Sequence, residues 1–277
     1  MFSPAVNLQP KIAALACRSL CYLVAAILMA DLPAWSMEKT DDIDTNRPSF
    51  MFSPLVLPAG SLQFENGTLY QHFQHGRTNF GIPETQVRLG LTKRTEFEMF
   101  VPNFVLNHQE HTIARAGGAS DLNEVGIKHQ FPSIRNFQIT FIGALNIPTG
   151  SVTISGPGVQ PVFRFPWAYP MGKWSIMGQQ SLLLINSGRD LLYEPDFMLD
   201  RFLTPRLSVF FEYASFLAQR APGISIANFG VEWKISRHQQ LDTRWGCGLS
   251  KSSPAAFVGA GYSFRFDGLP WGGSGKK

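Results

Sequence analysis

Apolar residues recur in this chain with a period of two, stretch after stretch, and no other feature narrows the possible folds as far. In 84-ETQVRLGLTKRTEFEMFVPNF-104, Thr85, Val87, Leu89 and Leu91 alternate with Gln86, Arg88, Gly90 and Thr92. Beyond the Lys93-Arg94 turn, Phe97, Met99 and Val101 alternate with Glu96 and Glu98. Residues two apart share one face of an extended strand, so each run has a greasy face and a wet one. The question is whether the greasy face meets a protein core or lipid.

The same pattern predicts twelve strands, over 61–71, 84–92, 95–105, 121–131, 136–147, 159–168, 173–185, 191–203, 206–217, 224–235, 239–249 and 255–266. Parity is clean where Phe137, Ile139, Phe141 and Leu145 oppose Gln138, Thr140 and Asn146. It is equally clean where Val258, Ala260, Tyr262, Phe264 and Phe266 oppose Ser263 and Arg265. Prolines 161, 166 and 195 blur it in between. The links alternate in length: 72–83, 106–120 and 148–158 are long, whereas 93–94, 132–135, 169–172, 204–205 and 236–238 are short. Short turns at one end and longer loops at the other mark a transmembrane barrel. An even number of strands puts both chain ends in the periplasm, and tilted strands of about ten residues match the hydrocarbon thickness. Closure also leaves no unpaired strand edge in lipid. The expected fold is therefore all-β, an antiparallel transmembrane β-barrel of 12 strands, with the greasy faces in lipid.

Composition agrees. Charged residues make up only 16% of the 277, below the usual quarter, while aromatics reach 13%, including 23 Phe and 6 Trp. Tyr70, Trp167, Trp174 and Phe266 fall near strand ends, as interfacial girdles do. The formal net charge of +4 is scattered and forms no basic block, which argues against a nucleic-acid partner.

The expected organisation has four parts. Residues 1–36 read as a secretory signal peptide: Lys11 and Arg18 precede the apolar run 20-LCYLVAAILMA-30, and 34-AWS-36 offers a cleavage site before Met37. Residues 37–60 form an extended, proline-rich N-terminal segment, 61–266 the barrel, and 267–277 a flexible tail. Cys17 and Cys21 leave with the signal, so Cys247 has no intramolecular disulfide partner and the exported chain must be held together by closure instead. Within 48–58, Pro48, Phe50, Phe52, Pro54, Leu55, Val56 and Pro58 suggest either a plug in the barrel mouth or a periplasmic lead-in against the first turn; the plainer lead-in is preferred.

The chain resembles the outer-membrane MetA-pathway of phenol degradation family of transporters, from about Asp44 to Phe266. The likeness rests on 44-DTNRPSFMFSPLVLPAGSLQFENG-67, the Pro83-to-Thr95 strand and turn, 118-GASDLNEVGIKHQF-131, 145-LNIPTG-150, 204-TPRLSVFFEY-213 and 257-FVGAGYSFRF-266, in that order. It implies a Gram-negative outer-membrane barrel that passes small, often aromatic, hydrophobic compounds. The implied partners are a small-molecule solute, outer-membrane lipid and the barrel assembly machinery. One departure is that 267-DGLPWGGSGKK-277 follows Phe266, where such barrels usually end on an aromatic.

Parity nominates the lumen lining: Glu65, Arg88, Glu98, Glu124, Lys128, Glu212, Glu232, Asp242, Arg244 and Arg265, with Gln63, Gln86, Glu96, Glu194, Asp196, Asp200 and Lys234 on the same face. These charges either select a solute or pair across strands to fill a narrow tube, and pairing is the preferred reading for any one of them. Histidines gather at 72-HFQH-75 and 108-HQEH-111, the second with Glu110, but neither has the spacing of a helical zinc motif, so no metal or other cofactor is assigned. His129 falls on the greasy face near a membrane end and has no evident nucleophile partner, which weighs against a lipid-boundary hydrolase. A non-enzymatic channel is expected. A structural or receptor-type barrel is the alternative.

Overall fold

The computed structural model describes residues 42–109 and 115–272. Residues 1–41, 110–114 and 273–277, which include the expected signal segment, Glu110 and His111, lie outside the described residues. Fifteen strand segments form one antiparallel sheet: β1 (Leu62–His72), β2 (Arg77–Ile82), β3 (Gln86–Thr92), β4 (Thr95–Phe100), β5 (Phe104–Gln109), β6 (Arg115–Ala119), β7 (Leu122–Gln130), β8 (Gln138–Ile147), β9 (Gln160–Met171), β10 (Trp174–Ile185), β11 (Asp190–Thr204), β12 (Leu207–Ala218), β13 (Ile224–Ser236), β14 (Gln239–Gly248) and β15 (Ala256–Phe266). The sheet closes on itself, with β1 paired to β15 from Leu62↔Phe266 to His72↔Ala256.

Closure gives a twelve-stranded barrel because three of its strands are each two segments. β1 pairs with β3 near one end (Leu62↔Leu89) and with β2 near the other (Leu69↔Gly81), so β2 and β3 are halves of one strand. β4 with β5 and β6 with β7 are halves in the same way. The breaks fall at 83–85, 101–103 and 120–121, side by side in the wall. Pro83 and Pro102 supply no ladder N–H, which is why the first two breaks sit where they do. Here the structure corrects the sequence reading, for much of the expected long links 72–83 and 106–120 is strand. Beyond its break, β6 pairs with β5 on one side; on the other, Ser151 N–H donates to the Ala119 carbonyl at 2.9 Å.

Burial is inverted relative to a soluble protein. Gln179, Ser181, Lys128, Glu96 and Glu212 are fully buried, while Phe197, Leu182, Trp233, Val258 and Phe266 are among the exposed large side chains. Apolar residues facing outward around a closed wall are what acyl chains accept, and the chain is a β-barrel of the outer membrane.

The N-terminal segment is not a lead-in outside the barrel. It enters at the short-turn end, where Ile43 N–H donates to the Arg237 carbonyl, runs to a tip at Arg47–Phe52 inside the wall, and returns to Ser61. Ile43, Met51, Phe52 and Leu57 are buried within the barrel. An extended segment cannot satisfy its own backbone, and buried N–H groups must find acceptors. Wall carboxylates and amides supply them: Glu65 Oε2 accepts from Asn46 N–H at 2.8 Å, Glu212 Oε1 from Met51 N–H at 2.9 Å and Gln179 Oε1 from Phe52 N–H at 2.9 Å. Pro48, Pro54 and Pro58 carry no N–H, which shortens the list of donors. Small wall residues make room. A Cβ on Gly90 would sit 2.0 Å from the Pro58 carbonyl oxygen, and one on Gly67 would sit 2.0 Å from Arg47 Cζ.

The tail is likewise bound rather than loose as far as it is described. Asp267 accepts from the Ser61 hydroxyl at 2.7 Å and pairs with Arg265 at 2.9 Å and His238 at 2.9 Å. Leu269 N–H donates to the Gly60 carbonyl at 2.9 Å and Trp271 Nε1 to the Gly90 carbonyl at 3.0 Å. Residues 267–271 thus form a strap across the junction between the N-terminal segment, a plug in the lumen, and β1. Burial acts to raise the Asp267 carboxyl, but the Ser61 hydroxyl, the Arg265 guanidinium and the His238 ring outweigh it and hold it below the ordinary carboxylate range.

Candidate functional site: the lumen and the cavity above the plug

Two polar layers fill the barrel around the plug. The lower layer centres on Arg88 of β3. Its guanidinium donates to Glu65 at 2.9 Å and to Glu96 at 2.9 Å, and to the plug carbonyls of Asp44 (3.0 Å) and Leu55 (3.2 Å). Lys128 of β7 adds a second cation 3.3 Å from Glu96. Both cations and both carboxylates are fully buried, so each needs the others to offset its lost hydration. Glu98 is buried beside them with no hydrogen-bond partner among the described residues.

The upper layer holds the plug tip. Arg47 pairs with Glu84 at 3.2 Å and with Asp242 at 3.4 Å. Arg244 of β14 reaches the same Glu84 oxygen at 3.2 Å and donates to the Pro48 carbonyl at 3.1 Å. Across the lumen, Arg164 of β9 donates to Glu124 at 2.7 Å, to Glu194 at 2.6 Å and to the Ser181 hydroxyl at 2.8 Å. Glu124 reaches this position through a left-handed backbone (φ 51°) at a register shift in β7. That conformation is costly for a non-glycine residue and persists here with a bidentate guanidinium on the side chain.

Above the tip lies a cavity of about 320 Å³. Phe50, Phe52, Phe100 and Phe216 give it aromatic walls, Arg47, Arg164 and Arg244 cations, and Glu84, Glu124 and Glu194 carboxylates. It reaches all three strand breaks, being lined also by Thr85, Val101, Asn103 and Ser120. Phe50 packs edge-on against Phe216 at 5.9 Å and Phe257 at 5.7 Å, while Arg244 lies 4.8 Å over the Phe50 ring and Arg164 5.2 Å over Phe52.

The ten nominated lumen residues thus separate by task. Glu65, Arg88, Lys128 and Glu212 hold the plug, and Glu212 also accepts from Asn228 at 2.6 Å. Asp242 backs Arg47, Glu232 accepts from the Ser208 hydroxyl at 3.3 Å, and Arg265 binds the strap. Only Glu124 and Arg244 line the cavity, and Glu98 bonds to neither plug nor strap. Arg47, Glu84 and Arg164 escaped nomination. Arg47 belongs to a segment expected outside, Glu84 follows Pro83, and Arg164 sits between the prolines that blur β9.

The histidine groups are separated. His72 and His108 fall in one cross-strand row, each opposite Thr78 of the strand between them, which puts their backbones roughly 10 Å apart. His129 does have a hydroxyl partner, Thr95 Oγ1 at 2.9 Å, contrary to expectation. This exposed pair lies beside the short 93–94 turn and packs on Phe131, in keeping with an interfacial girdle.

Several solved structures share this architecture. The COG4313 outer membrane channel from Pseudomonas putida F1 is similar at 14% identity and a TM-score of 0.59, over 77% of this chain and 98% of that one. The NanC porin is similar at 9% identity and a TM-score of 0.50, over 73% and 98%. The translocator domain of the autotransporter NalP from Neisseria meningitidis matches at 10% identity and a TM-score of 0.50, over 92% and 98%. At such identities the likeness speaks to the fold alone. No curated protein sequence matches the chain. The sequence over residues 45–266 matches the family described as "Putative MetA-pathway of phenol degradation", and the chain belongs to that family.

Proposed function

We propose that this chain is a channel through which small solutes, aromatic and hydrophobic compounds among them, cross the outer membrane by passive or facilitated diffusion. The observation that carries the reading is the cavity of about 320 Å³ above the plug tip, with Phe50, Phe52, Phe100 and Phe216 in its walls. Its volume exceeds the roughly 150 Å³ that suffices an apolar cavity to hold benzene. The family's association with phenol degradation supports an aromatic solute. Outer-membrane lipid is the barrel's solvent, and the assembly machinery is its route of insertion, with the Phe266-terminated β15 as the strand to be engaged. Of the ten nominated residues, Glu65, Arg88, Lys128 and Glu212 act here by fixing the plug that sets the lumen's bore.

The plug itself favours one rival, a structural or receptor-type barrel, because it fills the lower lumen. Planar bilayers containing the purified protein separate the two. A channel gives discrete conductance steps that added benzyl alcohol interrupts. Silence in every condition, from protein that still runs as a heat-modifiable barrel, removes the channel reading.

A further inference from the structure

Charge compensation in the cavity bears on which solutes it accepts. Its lining brings three guanidinium groups, Arg47, Arg164 and Arg244, and three carboxylates, Glu84, Glu124 and Glu194. Each cation has a carboxylate partner: Glu84 lies 3.2 Å from both Arg47 and Arg244, whose Nε–H groups alone find no acceptor among the described residues, and Arg164 is held between Glu124 at 2.7 Å and Glu194 at 2.6 Å. Arg244 and Arg164 also cover the rings of Phe50 and Phe52. A solute carboxylate entering this space must displace a wall carboxylate from its guanidinium to gain an ion pair, and an ammonium must displace a guanidinium from its carboxylate. Either exchange leaves a buried charge uncompensated.

We infer that this cavity is a binding site for uncharged aromatic solutes, and that Glu84, Glu124 and Glu194 determine this specificity by neutralising the three arginines. The inference rests on the channel reading and narrows it. Removing a carboxylate exposes a cation. At an effective dielectric constant near 20 an unscreened unit charge about 10 Å from a solute anion changes its occupancy by roughly tenfold.

The test uses the full-length protein in nanodiscs and three probes that share one ring: 4-fluorobenzyl alcohol, 4-fluorobenzoate and 4-fluorobenzylammonium, with affinity read by fluorine NMR. The wild type is expected to bind the alcohol at least about tenfold more tightly than either ion. Glu84→Gln and Glu124→Gln should each raise the benzoate-to-alcohol affinity ratio about tenfold. Wild-type selectivity stands as a test even if a variant fails to assemble, and Glu194→Gln provides a third replacement. Equal binding of all three probes, or substitutions that leave the benzoate-to-alcohol ratio unmoved, overturns the inference while the channel reading survives on its conductance. Binding of none of the probes overturns the site itself.

Discussion

Glu212 is where the seating of the plug can be tested with a single side chain. Its carboxylate accepts from Phe50 N–H at 3.0 Å and Met51 N–H at 2.9 Å, and steadies Asn228 at 2.6 Å. Glu212→Ala leaves two backbone donors of the plug tip without an acceptor inside the barrel. Each such loss costs about 1–3 kcal/mol, or about 2–6 kcal/mol for the pair. Water entering the space vacated by the side chain brings the figure toward the lower bound. Even about 2 kcal/mol raises the undocked fraction roughly thirtyfold. Glu212→Gln keeps one acceptor oxygen and should shift it by less than about threefold. The assay is thiol labelling of Ser53→Cys, a buried plug position, in a Cys247→Ser background, because labelling rate follows the open population. Heat-modifiable mobility on gels verifies that the wall is intact. An intact Glu212→Ala barrel that labels no faster than its parent would refute the reasoning, because the plug would then be held by something other than these hydrogen bonds.

Two further outcomes follow from the outer face and the strap. Phe197 faces outward at the middle of β11, so Phe197→Arg should cost about 2–4 kcal/mol in urea refolding into lipid, whereas a penalty near zero would argue that the residue does not meet acyl chains. Asp267 has a depressed carboxyl pKa in the folded chain, so its contribution is complete above the unfolded value of 3.8 and fades as pH falls through the lower folded value. Trp271 emission, with Trp271→Phe as the subtraction control, should therefore be flat from about pH 5 to 8 and change only on stronger acidification. A transition near neutrality would refute the assignment of the strap's hold to the Asp267 carboxylate.

What was legible in the sequence was whatever two-fold periodicity encodes. β8 and β12 to β15 lie within a residue or two of their expected spans, because no proline falls within them to break the strand pattern. The outer halves β2, β5 and β6 were hidden. Pro83 and Pro102 look like the ends of strands when read locally, and 115-RAGGA-119 has too few side chains to show a face. Only the pairing of neighbours, which is non-local, shows that the strands resume. The inward parity of Glu65, Arg88 and Glu212 could be read directly, but not their shared task. That task depends on the plug, whose proline-rich sequence has no periodicity and whose position is fixed by side chains from distant strands. Arg164 was lost for a related reason: Pro161 and Pro166 obscure the alternation that places it inward.

The account depends on one row of each strand touching acyl chains while the other row faces a filled interior. β10 offers the cleanest trial, since Gln179, Ser181 and Leu183 are buried while Gln180, Leu182 and Leu184 are exposed. Single cysteines at 179–184, introduced into the Cys247→Ser chain and labelled with a small fluorophore, can be reconstituted in lipid with brominated acyl chains. Strong quenching at 180, 182 and 184 with weak quenching at 179, 181 and 183 is the predicted pattern. Uniform quenching, or the opposite alternation, would contradict the account.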